Sequence, residues 1–265
     1  MATYLDKILA AHREAAAKDT RSIEGLIDTA LSARPARGFE KAIRDSDGLA
    51  VISEIKRASP SKGDLNRSLD PALVASQYVD GGATCLSVLT DEQWFAGSVQ
   101  DLQLARAAVA VPVLRKDFTV SLADVCDCRL MGADCVLLIA AALDDVELAD
   151  MHELAKEIGL DVLVEIHDEA ELERAMAVGA SLVGVNQRDL VTFEVDTNRA
   201  VRMAPQMPDG VVRVAESGVR GVPDARVLAE AGYDAVLVGE SLVTAGDHSS
   251  AVAALRAIPR IESRR

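Results

Sequence analysis

Gly132-Ala-Asp-Cys-Val-Leu-Leu-Ile139 decides the fold, because its pattern recurs along the chain. The glycine follows an amphipathic run and is typical of a helix end. The apolar residues after it predict a strand buried on both faces, as in a parallel sheet. Three other segments share the pattern, namely Gly82–Leu89, Gly179–Asn186 and Gly232–Gly239. The chain is therefore predicted to repeat a helix–strand unit.

Four more short apolar runs complete the repeat. They are Ala50–Ile55, Val111–Arg115, Asp161–Glu165 and Val211–Ala215. Eight strand–helix units predict a single closed (β/α)8 barrel, the TIM-barrel class of α/β folds. An open doubly wound sheet is the alternative, but a glycine-rich loop normally follows its first strand. Here that position holds Lys56-Arg-Ala-Ser-Pro60, which contains no glycine.

The start of the chain lies outside this repeat. Leu5 and Ile8 have helical spacing, and Ser22–Ile27 reads as the beginning of a second helix. We expect residues 1–48 to form a helical extension that packs on the barrel or covers its mouth, and residues 49–260 to form the catalytic barrel.

Composition narrows the classes of function. The formal net charge of −14 argues against a nucleic-acid surface and an anionic membrane surface. No apolar run reaches membrane-spanning length, and Met1–Lys7 lacks the basic and apolar regions of a secretory signal. The four cysteines have neither zinc-ligand nor thioredoxin spacing, so we expect reduced thiols in a cytoplasmic protein. A monomer is the expected assembly, with a weak homo-oligomer as the alternative.

Polar residues stand where the predicted strands end, which is where such barrels carry their chemistry. Glu54 and Lys56 are two apart and therefore point the same way. A purely structural ion pair is the alternative for these two alone. The other strand ends add Lys116, Glu165, Asn186, Arg188 and Glu216. So many polar residues at one rim favour an active site.

Two glycine-containing turns follow the last two strands. Ser217-Gly218 and Gly239-Glu240 stand where these barrels commonly bind phosphate. Glycine allows backbone N–H groups to approach an anion closely, although ordinary turn chemistry is the alternative for each position. The four histidines are scattered, so we expect no metal site.

These residues lie in motifs that resemble those of the indole-3-glycerol phosphate synthase family. The similarity covers nearly the whole chain, including the extension. In order the motifs are Glu54–Ser61, Ser87–Asp91 with Phe95–Ser98, Leu114–Phe118, Glu165–His167, Gly184–Leu190, Ala215–Gly218 and Val238–Ser241. One departure follows Phe118. The family usually has a segment there that contains an aromatic residue and Glu-Ala-Arg, whereas this chain has Thr119–Arg129 without either. This departure concerns the packing of an outer helix.

The resemblance implies a cofactor-free step of tryptophan biosynthesis. The substrate would be 1-(2-carboxyphenylamino)-1-deoxyribulose 5-phosphate, which undergoes ring closure, decarboxylation and dehydration to indole-3-glycerol phosphate. It further implies that Lys116 protonates the ketone and that Glu165 acts as acid and base, with Glu54 and Lys56 beside it. Such groups need perturbed pKa values to work near neutral pH.

The resemblance also implies how the substrate is bound. Arg188 is expected to bind the carboxylate, while Asn186 and Glu216 orient the sugar hydroxyls and Arg188. The phosphate would contact Lys56 and the backbone amides of Ser217, Gly218, Gly239 and Glu240. The other expected contacts are Ser59, the ring pocket of Leu89, Phe118, Ile139 and Leu190, and a lid residue, Phe95.

The sequence leaves other functions possible for the same barrel. Lys116 could form a Schiff base with a ketose phosphate, as in aldolase barrels. A related isomerase would need a Cys/Asp acid–base pair at the strand ends, which the sequence does not show. A non-catalytic barrel that binds a phosphorylated ligand is the third alternative.

Overall fold

Eight parallel strands close into a barrel in the computed structural model, which describes residues 3–260. The strands are β1 (Ala50–Ile55), β2 (Cys85–Leu89), β3 (Val113–Lys116), β4 (Cys135–Ile139), β5 (Asp161–Ile166), β6 (Leu182–Asn186), β7 (Val212–Glu216) and β8 (Ala235–Val238). β1 pairs with β8 as well as with β2. The predicted (β/α)8 class is confirmed, and this closing ladder excludes the open sheet.

Helices surround the barrel and precede it. They are α1 (Tyr4–Ala17), α2 (Ile23–Leu31), α3 (Phe39–Arg44), α4 (Pro71–Asp80), α5 (Glu92–Phe95), α6 (Val99–Ala108), α7 (Leu122–Leu130), α8 (Asp145–Glu157), α9 (Glu169–Ala177), α10 (Arg199–Met203), α11 (Val222–Glu230), α12 (Glu240–Val243) and α13 (His248–Arg256). A short antiparallel ladder joins Ala58–Ser59 to Gly63–Asp64 in the loop after β1. No helix within residues 3–260 combines the length and apolarity that a membrane crossing requires.

The repeat glycines end helices as their pattern predicts. Gly132 and Gly232 each have a φ of 95°, a left-handed conformation that a side chain disfavours. The strand that follows each of them is buried along its whole length. A glycine stop followed by an apolar run thus sets the helix–strand alternation.

The first and third helices lie at opposite ends of the barrel. α1 lies at the carboxyl ends of the strands, where Leu5 and Ile8 are buried. α3 was not predicted; it lies at the amino ends, where the backbone N–H of Glu40 donates to Asp161 at 2.9 Å. Its Phe39 side chain is fully buried.

The segment that departs from the family pattern forms α7, which packs against α2. Cys126 and Cys128 are both buried there, and all four cysteines are unpaired. Arg129 donates hydrogen bonds to the backbone carbonyls of Ile158, Ala33 and Arg34. This segment therefore contributes to the contact between the barrel and its extension.

Candidate active site

A cavity of about 920 Å³ opens at the carboxyl ends of the strands. Its volume falls in the range of small-molecule sites. Every residue predicted for the site lines it: Glu54, Lys56, Ser59, Phe95, Lys116, Phe118, Glu165, Asn186, Arg188, Leu190, Glu216, Ser217, Gly218, Gly239 and Glu240. Barrel closure therefore brings together residues from strands far apart in sequence.

A buried ionic cluster forms one wall of the cavity. The Nζ of Lys116 lies 2.7 Å from Oε2 of Glu165 and 3.4 Å from Oε2 of Glu216. The Nδ2 of Asn186 donates to Oε1 of Glu165 at 2.9 Å. These contacts orient the Glu165 carboxylate from two sides and leave Lys116 between two acids.

Burial and mutual charge perturb the pKa values of this cluster. Burial opposes the ammonium of Lys116, yet the charges of Glu165, Glu216 and Glu54 outweigh it and raise the pKa of Lys116. Burial likewise opposes the Glu165 carboxylate, but Lys116 and His167 prevail and lower its pKa. Burial, reinforced by Glu165, raises the pKa of Glu216 to about 8. Lys116 and Glu165 are therefore favoured in their charged forms, whereas Glu216 takes up a proton more readily than an exposed carboxyl does.

A second Lys–Glu pair lies at the end of β1. The Nζ of Lys56 lies 2.5 Å from Oε1 of Glu54, so the two side chains point the same way, as their spacing predicts. Glu54 is nearly fully buried, whereas Lys56 reaches the cavity. An ammonium in this position can donate a proton or balance the charge of an anion.

The turn after β7 has an unusual backbone. Ser217 and Gly218 both have positive φ, 64° and 76°. The side chain of Gln187 donates to the carbonyl oxygen of Ser217 at 2.8 Å, which holds the turn in place. At the end of the neighbouring strand β8, Gly239 precedes α12. Both turns present backbone to the cavity.

Arg188 is held by its own loop. Its Nη1 donates to the carbonyl of Phe193 at 3.0 Å, and its backbone N–H donates to Oδ1 of Asn186 at 3.0 Å. Asn186 therefore contacts Arg188 as predicted. Glu216 was expected to orient Arg188 too, but within residues 3–260 no hydrogen bond joins them. The charge of Lys116 holds Glu216 toward the barrel interior instead.

The apolar wall is larger than predicted. Phe95 and Phe118 face each other with ring centroids 6.4 Å apart. Leu5, Ile8 and Phe193 also line the cavity, although none of them was predicted as a site residue. Helical spacing identified the apolar face of α1, but nothing local showed that this face lies over the mouth.

The comparisons with known proteins identify the family. The family model described as indole-3-glycerol phosphate synthase matches residues 5–255. The chain belongs to the indole-3-glycerol phosphate synthase family. The synthase of Mycolicibacterium smegmatis is 49% identical over 256 residues, 96% of this chain and 94% of the relative. Indole-3-glycerol phosphate synthase 1 of Streptomyces coelicolor is 51% identical over 234 residues, 88% of this chain and 87% of the relative.

Solved structures support the fold more broadly. A thiamine phosphate pyrophosphorylase from Pyrococcus furiosus has a TM-score of 0.57 at 17% identity, covering 80% of this chain and 95% of that one. An N-acetylmannosamine-6-phosphate 2-epimerase from Clostridium perfringens has a TM-score of 0.59 at 12% identity, covering 75% and 89%. At these identities the likeness concerns the barrel fold alone.

One ionisable group beside the synthase-family site was missed. His12 of α1 places its Nε2 3.0 Å from Oδ2 of Asp91 and 3.8 Å from Oδ1 of Asp117. The histidines are scattered as expected, but His12 joins two carboxylates. The other oxygen of Asp117 is bound by Arg115 and Thr90. His12 and Asp91 are 79 residues apart in the chain, so no local pattern in the sequence could predict their contact.

His167, in the same motif as Glu165, lies behind that carboxylate. Its Nε2 is 3.7 Å from Oε1 of Glu165. Its Nδ1 is 3.0 Å from Oε2 of Glu171, which fixes the ring. His167 therefore acts on the cavity only through Glu165.

Proposed function

We propose that this protein converts 1-(2-carboxyphenylamino)-1-deoxyribulose 5-phosphate to indole-3-glycerol phosphate in the cavity at the carboxyl ends of the strands. The family assignment supports the activity. The observation that carries the mechanism is the cluster of Lys116, Glu165 and Glu216 on the cavity wall. This cluster places an acid, the Lys116 ammonium, beside a base, the Glu165 carboxylate.

Ring closure needs an acid at the ketone oxygen, because the attacking ring carbon is a weak nucleophile. The ammonium of Lys116 donates this proton as the new carbon–carbon bond forms. Its ion pair with Glu165 keeps the lysine charged until the substrate arrives and aims it into the cavity. Loss of carbon dioxide then returns the bonding electrons to the ring.

Dehydration needs an acid for the departing hydroxyl and a base for the ring N–H proton. The ionised Glu165 is the proposed base, since its low pKa keeps it free of a proton at neutral pH. The ammonium of Lys56, paired with Glu54, is the proposed acid that protonates the departing hydroxyl so that it leaves as water. The side chains of both pairs are largely buried, which strengthens their electrostatic effect.

Three parts of the cavity match three parts of the substrate. The backbone amides of Ser217, Gly218, Gly239 and Glu240, with Lys56, bind the phosphate. Arg188 binds the carboxylate. The anthranilate ring is held by Ser59 and Phe95 at the rim and by the apolar wall of Leu89, Phe118, Ile139 and Leu190.

The Schiff-base alternative requires a neutral amine on Lys116. The carboxylates around this lysine raise its pKa and so favour the ammonium. We therefore expect no adduct when borohydride is added together with the substrate. A trapped adduct at Lys116 would favour the aldolase-type reaction instead.

The remaining features are proposed as follows. The protein acts as a cytoplasmic monomer on a small phosphorylated substrate. Residues 1–48 form an extension that completes the site of the barrel in residues 49–260. The last point is supported by Leu5 and Ile8, which line the cavity from α1.

Indole fluorescence tests the activity directly. The purified protein is mixed with the substrate without added metal or cofactor, and an enzyme-dependent rise in fluorescence is expected. Lys116→Met should reduce turnover on the order of a hundredfold or more. Lys41→Met, at an exposed lysine on α3, is the matched control and should retain turnover. A folded protein that produces no indole product but still binds the substrate would favour the binding-only barrel.

A further inference from the structure

Gly184 occupies the middle of β6, a strand buried along its length. It is two residues before Asn186, so both share the face that points to the barrel interior. Asn186 pairs in register with Glu216 on the neighbouring strand β7. Gly184 thus lies beside and below the Glu216 side chain.

A side chain at Gly184 would collide with Glu216. An added Cβ would lie 2.1 Å from Oε1 of Glu216 and 3.2 Å from its Cδ. It would also lie 3.2 Å from Cδ1 of Leu163. A carbon–oxygen contact of 2.1 Å is far inside van der Waals distance, so the carboxyl could not keep its place.

The backbone of Gly184 does not itself require glycine. The glycines with positive φ in the described chain do not include Gly184. Alanine could therefore adopt the same conformation, and in a strand it normally costs less conformational entropy than glycine. The only feature that requires glycine here is the space above its Cα.

The Glu216 carboxyl has little freedom to move. It is 1% exposed, and its Oε2 lies 3.4 Å from Nζ of Lys116. Its Oε1, the atom over Gly184, has no hydrogen-bond partner among residues 3–260. A buried polar atom without a partner is costly, so this position is set by shape and by the attraction to Lys116.

We propose that Gly184 is a positioning residue whose missing side chain forms a socket for the Glu216 carboxyl beside Lys116. The inference rests on the proposed function, in which Glu216 belongs to the cluster with Lys116 that carries the mechanism. A similar relation at the neighbouring strands β8 and β1 supports it, since a Cβ on Gly239 would lie 2.3 Å from Oε1 of Glu54. In both cases a glycine on or just after one strand makes room for an acid on the next strand.

The first test is Gly184→Ala, compared with Gly25→Ala on α2, where an added Cβ meets only Ser22 at 3.8 Å. We expect Gly184→Ala to lower kcat at least about tenfold with a smaller change in KM. The kcat–pH profile should also change, because displaced Glu216 would interact differently with Lys116. Gly25→Ala should change neither. Unchanged kcat and pH profile in Gly184→Ala would overturn the inference.

The second test removes the colliding atoms. Glu216→Ala combined with Gly184→Ala should unfold at a higher temperature than Gly184→Ala alone, because the added Cβ then has space. This comparison applies even if the single variant folds poorly. A double variant that is no more stable than Gly184→Ala would overturn the socket.

Glu216→Gln tests whether the Glu216 carboxyl is needed for turnover, independently of whether Gly184 makes room for it. If this variant keeps full turnover, the catalytic role of Glu216 fails, while the stability comparison still decides the socket. If Glu216→Gln loses turnover and Gly184→Ala does not, the role stands and the socket is overturned. A crystal structure of Gly184→Ala with Glu216 in its original place would also overturn the socket.

Discussion

The Nζ of Lys116 lies 2.7 Å from Oε2 of Glu165, although the residues belong to β3 and β5 and β4 runs between them. The contact reaches across the barrel interior at the carboxyl ends of the strands. Burying such a pair costs desolvation that replacement by apolar residues would avoid. Together with the neighbouring Glu216, the pair therefore indicates a site kept for chemistry.

Glu165→Gln tests the base. The amide keeps the shape and can still bind Asn186, but it cannot accept the ring proton. Turnover is expected to fall on the order of a hundredfold or more, while circular dichroism remains unchanged. Glu173→Gln, on the exposed side of α9, is the control and should behave as the unmodified protein. Normal turnover in Glu165→Gln would remove this residue from the mechanism.

Arg188→Ala tests the carboxylate contact. Loss of a hydrogen-bonded charge pair should raise KM roughly tenfold to a hundredfold, since such bonds contribute about 1.5–3 kcal/mol, with less effect on kcat. Steady-state indole fluorescence gives both constants. Arg226→Ala, at an exposed position on α11, provides the comparison. A defect in kcat alone would contradict the binding role.

His12 makes stability depend on pH. Its hydrogen bond to Asp91, opposed by burial and helped by the charge of Asp117, raises the pKa of His12 in the folded protein. The stabilising effect is therefore complete below the pKa of the unfolded chain and is lost as pH rises through the folded pKa. His12→Asn should cost about 1–2 kcal/mol at pH 5.5 and less at pH 9 in urea unfolding.

His152→Asn is the matched control for this prediction. Burial, helped by Lys156, lowers the pKa of His152. The imidazole is thus favoured in its neutral form, and its contribution should grow as pH rises. Parallel pH trends in the two variants would contradict the assignment of the His12–Asp91 contact.

Asp134 is predicted to stabilise the fold without serving the reaction. It is fully buried and accepts hydrogen bonds from the backbone of Val113 and Arg37 and from the side chain of Arg106. Asp134→Ala leaves these donors unpaired and should lower the free energy of unfolding by about 3 kcal/mol or more.

Asp134→Ala should keep its activity per folded molecule, because Asp134 lies just before β4, away from the cavity. Asp145→Asn breaks an exposed ion pair with Arg174 and should cost less than about 1 kcal/mol. Similar losses in the two variants, measured by urea unfolding, would refute the argument from burial.

Patterns local in the chain predicted most of the fold. Glycine stops and apolar runs located the eight strands within a few residues, and period-two spacing predicted the Glu54–Lys56 pair. α3 was missed because Phe39–Arg44 is too short to show helical periodicity. The motifs identified the family, and all their predicted site residues line the cavity.

The sequence by itself determined the order of the elements, the burial of the strands and the polar residues at their ends, because these depend on neighbours a few positions away. Only the tertiary structure decided which acid faces which lysine, where α1 places His12, and that Gly184 makes room for Glu216. These relations join strands and helices distant in the chain. Their distances are set by how the barrel closes, and distance together with burial decides which groups carry a proton.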